Sequence, residues 1–294
     1  MKLFLFIAAG LILSPTLLNI PKTETVSLLG TIAAYVFLFA AGLELSLKKT
    51  LAHLKEASWI SVGAFIFPLI TGYAGALYLL PEGSNTLFVA TAMAVSALPV
   101  IIQLLKEANL YTTNLGRLIV SAATLCDILA WIMFSFLLPP QSMGPWIASH
   151  LPVFVFMAGL FISDWNLISE KRIEQLESFT RWVFAPIFFV TIGWGLNLAQ
   201  HFDARQVAIV TLIAFAGKIV GSYAVSRWRK FNHTDSMTIG LSLNARGAME
   251  ILMATFGLKA GLIDMTLFTS LVAMAIITSM VPALTFRLQR KLRQ

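Results

Sequence analysis

Apolar runs of about 20 residues follow one another along the whole chain, separated by short polar connections. The hydrocarbon core of a bilayer is about 30 Å thick, which takes about 20 residues of helix to cross. Ten runs meet that length: Leu3–Ile20, Val26–Leu45, Ser58–Leu80, Thr86–Leu105, Asn114–Leu138, Gly144–Ser163, Arg181–Leu198, Gln206–Trp228, Ser236–Leu258 and Met265–Phe286. The connections carry turn formers: Pro21, Pro81-Glu82-Gly83, Pro139-Pro140 and Asp203. The longest of them, Asp164 to Thr180 (DWNLISEKRIEQLESFT), has room for a surface amphipathic turn and little more. The pattern predicts an all-α integral membrane protein of about ten transmembrane helices, with no soluble domain or long linker.

Composition agrees. The 294 residues are 58% hydrophobic and 12% charged, with a mean hydropathy of +0.82. A soluble domain carries roughly 25% charged residues. Numbering the ten runs alternately across the membrane sorts the basic residues. Sixteen, among them Lys48, Lys49, Lys106, Arg117, Lys171, Arg229 and Arg287, fall on one side, and three, Lys22, Arg205 and Lys259, on the other. The richer side is expected to be cytoplasmic, with both termini on it, as in a bacterial inner or plasma membrane. This topology accounts for the net charge of +7, so no nucleic-acid partner is expected. The N-terminal MKLFLFIAAGLILSP has the features of a signal peptide, but the topology works better if it stays as the first helix. Cys126 is the single cysteine, so no internal disulfide can form.

The chain reads as duplicated. Ala9-Gly10-Leu11-Ile12-Leu13-Ser14 in the first run matches Ala158-Gly159-Leu160-Phe161-Ile162-Ser163 in the sixth, at an offset of 149. Gly42-Leu43-Glu44-Leu45 matches Gly195-Leu196-Asn197-Leu198 at 153. Two halves, residues 1–138 and 139–294, then hold five helices each. Five is odd, so the second half is inverted. Inverted repeats with a midplane site at their interface are a recurring plan of secondary transporters.

Four ionisable residues fall near run centres: Asp127 in the fifth, Lys218 in the eighth, Arg246 and Glu250 in the ninth. Charges at this depth are costly and mark ion or proton pathways by default. Two acids and two bases can compensate one another. A purely structural charge network is the alternative, above all for Arg246 and Glu250, which are four residues apart on one helix face. Two runs also look broken. The fourth has Pro99 and Ser96 at its centre, and the ninth has Asn244 and Gly247. An offset of 150 brings Ser96–Pro99 onto Arg246–Met249, so the interruptions are symmetry mates. Irregular backbone at membrane depth survives where protein or a water-filled cavity satisfies it. Crossed broken helices beside a carboxylate make a cation site from side-chain and carbonyl oxygens.

His53, His150, His201 and His233 lie in connections or at run ends and read as solvated residues, as do Glu44 and Asp164. Trp59, Trp146, Trp182 and Trp228 fall near run ends, where an interfacial belt expects them. The sequence contains no glycine loop for phosphate, no Ser/His/Asp set and no nucleotide fingerprint, so neither an enzyme nor a cofactor is expected.

The segment SALPVIIQLLKEANLYTTNLGRLIVSAATLCDILAW resembles the fourth and fifth core helices of the monovalent cation:proton antiporter family 2, the Kef-type and plant cation/H+ exchanger group. FAPIFFVTIGWGLNL resembles that family's "PxFFxxxG" helix, GLSLNARGAMEILMATFGLKAGLID its interrupted penultimate helix, and GLILSPTLL and LFAAGLELSL its first two helices. The resemblance covers nearly the whole chain in order. It implies a sodium/proton-antiporter-like fold and a homodimer. A core bundle, residues 58–138 and 204–286, would move against a scaffold and dimer part, residues 1–45 and 144–198.

The resemblance also implies exchange of Na+ or K+ for H+. Asp127 would bind cation and proton in competition, with Ser96 and Cys126 beside it and Lys218, Arg246 and Glu250 as charge partners. One carboxylate carries one charge, so exchange is expected to be electroneutral. Two departures matter. Relatives carry Asp-Asp or Asn-Asp where this chain has Cys126-Asp127, which leaves Lys218 to pair with Asp127 itself. Relatives also have about two more helices after the fifth, whereas here Asp127 and Met157 are thirty residues apart. A sodium-coupled organic-anion symporter on the same inverted-repeat plan, and a relative that no longer transports, are the alternatives.

Overall fold

The computed structural model describes residues 2–45, 47–51, 53–79, 85–139, 143–165 and 167–292. Regular structure among them is helical throughout. In chain order the helices are α1 (Lys2–Leu13), α2 (Glu24–Glu44), α3 (Leu47–Leu51), α4 (Leu54–Leu79), α5 (Thr86–Ala92), α6 (Leu98–Glu107), α7 (Asn114–Leu137) and α8 (Met143–Asp164). There follow α9 (Glu170–Phe179), a π-helical turn (Thr180–Phe184), α10 (Ala185–Gly195), α11 (Leu198–His201), α12 (Ala204–Trp228), α13 (His233–Leu243), α14 (Ala248–Lys259) and α15 (Met265–Leu292).

Six helices among the described residues are long and apolar enough to cross a membrane: α2, α4, α7, α8, α12 and α15, over Glu24–Glu44, Leu54–Leu77, Asn114–Leu137, Trp146–Asp164, Ala204–Trp228 and Met265–Pro282. The other four expected spans differ for local reasons. α1 stops after 12 residues, where Ser14 turns its hydroxyl back to the Leu11 carbonyl at 2.7 Å and Pro15 follows. The fourth and ninth runs are each divided into two short helices. The seventh begins earlier than its apolar run: the connection from Asp164 to Thr180 is not a surface turn but contains α9, which continues through the π-helical turn into α10. Pro186 stands at the start of α10. It has no N–H to return to the preceding turn, and the ladder slips there by one residue.

The chain divides into two compact units. The first is Met1–Ser46 with Pro140–Phe202, and the second is Leu47–Pro139 with Asp203–Gln294.

In the first unit, α1 packs on α10 and α2 on α8. Both pairs approach until glycine faces main chain. A Cβ on Gly10 would lie 2.1 Å from the Val190 carbonyl oxygen and 2.7 Å from the Trp194 nitrogen. One on Gly159 would lie 2.3 Å from the Phe39 oxygen and 3.0 Å from the Leu43 nitrogen. Gly193 meets Ile7 and Leu11, and Gly42 meets Phe156 and Leu160, in the same way. α1 contacts thus map onto α8 contacts at an offset of 149, and α2 onto α10 at 151. The match of Gly42-Leu43 with Gly195-Leu196 at 153 differs by two residues from the offset at which these contacts recur. The helix ends agree with 151: Leu45 closes α2 by bonding Gly42, and Leu196 closes α10 by bonding Gly193.

In the second unit, α4 and α12 pack along their length, with Gly63 and Gly221 facing each other's carbonyls. Among the helices here that begin on side-chain caps are α7, α12 and α13. Thr113 accepts from Gly116 at α7, Asp203 from Arg205 and Gln206 at α12, and Asn232 from Asp235 at α13. Each cap satisfies main-chain donors that a helix start leaves orphaned.

Candidate functional site

Two interruptions lie side by side in the second unit. α5 ends at Ala92 and α6 starts at Leu98; α13 ends at Leu243 and α14 starts at Ala248. Pro99 sits in the first turn of α6, where its missing N–H is not needed, and the extended backbone of Ala97 (φ −115°, ψ 91°) precedes it. Asn244 closes α13, and Gly247 takes φ 157°, ψ −126°, a conformation open to glycine and strained for other residues. The Ala97 N–H donates to the Ala245 carbonyl at 2.9 Å, and the Ser96 hydroxyl donates to the Leu243 carbonyl at 3.1 Å. α6 lies beside α13 and α14 beside α5, so each half-helix packs on the opposite half of its counterpart.

The four expected charges converge here, all at most 1% exposed. Asp127 comes from α7, and its Oδ1 accepts the Ser96 N–H at 3.3 Å. Lys218 comes from α12 and donates to the Ala94 carbonyl. Arg246 reaches across from the second interruption. It donates to the carbonyls of Ala92 (3.4 Å), Met93 and Ala214 (3.2 Å), and to Glu250 Oε1 (3.1 Å). The arrangement follows the ends of the half-helices. Orphaned carbonyls at the end of α5 carry partial negative charge and receive both cations. The carboxylates take the opposite ends: Asp127 beside the N–H groups ahead of α6, Glu250 in the first turn of α14.

Lys218 does not pair directly with Asp127 as expected. The end of α5 lies within its reach and carries unpaired carbonyls, so its ammonium goes there. Asp127 remains in its electrostatic field. Cys126, one position and about 100° round α7 from Asp127, turns its Sγ to the Ser61 carbonyl on α4 at 3.6 Å and not to either interruption. Arg246 and Glu250 do form the i, i+4 pair, and Arg246 also ties α5 and α12 to it.

Five buried polar atoms in 242–250 have no hydrogen-bond partner: Ser242 Oγ, Asn244 Nδ2 and Oδ1, Arg246 Nε and Glu250 Oε2. Ser242 carries no signal in the sequence that marks it for the site, and neither do the carbonyls of Ala92, Met93, Ala94 and Ala214. No residue type signals a carbonyl, so only the positions of the helix breaks pointed to them. Two residues read as solvated are buried. His150 lies inside α8, stacked on Trp146 with ring centroids 4.3 Å apart, and Asp164 closes the same helix at 8% exposure.

The family model "Sodium/hydrogen exchanger, transmembrane" matches residues 2–149 and 144–288. The chain belongs to the sodium/hydrogen exchanger family. With its apolar helices, this makes it a multi-pass integral membrane protein. Among exchanger relatives, "Probable Na(+)/H(+) antiporter GerT" of Bacillus cereus is 25% identical over 323 residues, 90% of this chain and 86% of GerT. "Cation/H(+) antiporter 18" of Arabidopsis thaliana is 24% identical over 358 residues, 94% of this chain and 44% of that protein, so the chain spans less than half of its length. Both alignments run longer than the 294 residues here, so these relatives carry segments this chain lacks. The solved sodium proton antiporter MjNhaP1 of Methanocaldococcus jannaschii shares the fold at a TM-score of 0.67 and 14% identity, covering 95% of this chain and 88% of that one.

Proposed function

We propose that this exchanger-family chain swaps one monovalent cation, Na+ or K+, for one proton, both bound in turn at Asp127. The observation that carries the reading is the position of Asp127: a buried carboxylate whose oxygen receives a main-chain N–H from the gap between two half-helices. That gap supplies further oxygens, the Ser96 hydroxyl among them, without further charged ligands. The names of the relatives, Na(+)/H(+) and cation/H(+) antiporters, point the same way.

The stoichiometry rests on a charge count. Ionised Asp127 and Glu250 balance Lys218 and Arg246, so the empty site is neutral. A bound cation or a bound proton each brings it to +1. Exchanging one for the other leaves the charge carried by the protein unchanged, and the cycle is electroneutral.

The wider reading is alternating access by ten membrane-crossing segments in two inverted repeats, with both termini cytoplasmic. The second unit would carry the site, and the first would act as scaffold and homodimer part. The paired glycine contacts at offsets of 149 and 151 support the repeat, and the sorting of basic residues supports the orientation.

The test is exchange in proteoliposomes. A cation gradient should drive proton movement in wild type, and Asp127→Asn should abolish it. Sodium-dependent uptake of an organic anion without proton movement would instead mark a symporter.

A further inference from the structure

Glu250 carries no transported ion in the cycle above, yet it is a buried carboxyl group with one oxygen bare. Its Oε1 is held by Arg246 at 3.1 Å, while Oε2 has no partner and the side chain is 1% exposed. The large majority of buried side-chain polar atoms have a hydrogen-bond partner. Protonation gives the bare oxygen a hydrogen and removes the buried charge.

Arg246 would survive that change in place, because three main-chain carbonyls, of Ala92, Met93 and Ala214, hold the guanidinium independently of Glu250. Its charge would lose its only carboxylate partner. Ser242 Oγ and both amide atoms of Asn244, also buried and unpartnered, put polar groups on the same stretch of an otherwise apolar interior. The charged groups whose field reaches Glu250 are Arg246, on its own segment, and Lys218 of α12. Of the helices packed on α14, α5 and α15 between Met265 and Pro282 carry no ionisable side chain, and α7, whose Trp131 ring meets Phe256, carries Asp127.

We propose that Glu250 is a second proton-binding carboxyl group of this core, whose protonation leaves Arg246 uncompensated and weakens cation binding at Asp127. This rests on Asp127 being the exchange carboxylate, and it adds a group that tunes that site without carrying the transported ion. Glu250 and Asp127 share the field of Lys218. Each proton on Glu250 therefore raises the positive charge that a cation approaching Asp127 meets. At an effective dielectric constant of about 20, a unit charge about 12 Å away changes an ion's affinity roughly ten-fold.

Two measurements test it. Infrared difference spectra of the full chain in lipid, titrated with acid, should show the C=O stretch of a protonated carboxyl group in Asp127→Asn. That band should vanish in Asp127→Asn/Glu250→Gln and move in Asp127→Asn/Glu250→Asp. Because it needs no transport, this readout holds or fails independently of the exchange reading. In proteoliposomes at alkaline pH, Glu250→Gln should raise the half-saturating cation concentration on the order of ten-fold, with Glu250→Asp close to wild type. Should Glu250→Gln fail to fold, the shift of the band in the Asp variant decides. A band unaffected by either substitution, or an unchanged half-saturating concentration in Glu250→Gln, would overturn the proposal.

Discussion

The Ala97 N–H bonds the Ala245 carbonyl at 2.9 Å, joining the gap in one interrupted helix to the gap in the other. Neither residue has a side chain that could do this. The link is main chain to main chain, and it brings Ser96 of the first gap against Leu243 at the end of α13.

Replacing Ser96 by Ala removes the hydroxyl bond to Leu243 but keeps the N–H that Asp127 accepts. The expected loss is about 1 kcal/mol of stability. Thermal unfolding of the purified protein should show the drop, while the half-saturating cation concentration changes less than it does for any substitution at Asp127.

Lys218→Met should be far more disruptive. It leaves the Ala94 carbonyl without its cation and two carboxylates facing one base. Removing one partner from a buried charge set costs about 3–5 kcal/mol. Size-exclusion profiles after graded heating should show it melting well below wild type. If its stability matched wild type, the capping role given to Lys218 would be wrong.

How much of this was legible beforehand follows from what a residue type can signal. The long helices are written in apolar runs, and α7 starts at Asn114 where its run does. The family was readable from motifs spread along the chain. The partner of Lys218 was not readable, because the carbonyl that wins it is orphaned by a break whose position depends on backbone geometry. The burial of His150 and Asp164 was missed because proximity to a run end says nothing about which neighbour covers it. Gly-Leu pairs match Gly42 with Gly195 by letter, whereas the main-chain contacts of Gly42 recur at Gly193, because letters do not show which face of a helix meets its neighbour.

The glycine pairs give a symmetric prediction. Gly10→Ala and Gly159→Ala each drive a methyl group to within 2.1 or 2.3 Å of a carbonyl oxygen on the facing helix. Backbone must shift in both cases, and overpacking of this kind costs about 1–3 kcal/mol. The two variants should lose similar thermal stability. A large difference between them would contradict the equivalence of the α1 and α8 contacts.

Glu56 and Arg229 form a two-bond ion pair, at 2.5 and 2.9 Å, between the first turn of α4 and the residue after α12. Both side chains are partly exposed, at 37% and 24%. Exposed pairs contribute little to stability and are screened by salt. Arg229→Gln should therefore lower the melting temperature slightly at low salt and by less at high salt. Loss of transport in this variant would show that the pair does more than fasten two helix ends.

Electroneutrality is checked by current. Under opposed cation and proton gradients, reconstituted protein on a solid-supported membrane should carry no net charge. A sustained current that reverses with the gradients would show that more than one proton moves per cation.

The central claim is that Asp127 carries cation and proton in turn. The most direct measurement is dissipation of a pH gradient in proteoliposomes on addition of Na+, K+ or Li+, with wild type and Asp127→Asn compared at equal reconstituted amounts. Wild type should dissipate the gradient with at least one of the ions, and Asp127→Asn with none. Equal dissipation by the two proteins would contradict the claim.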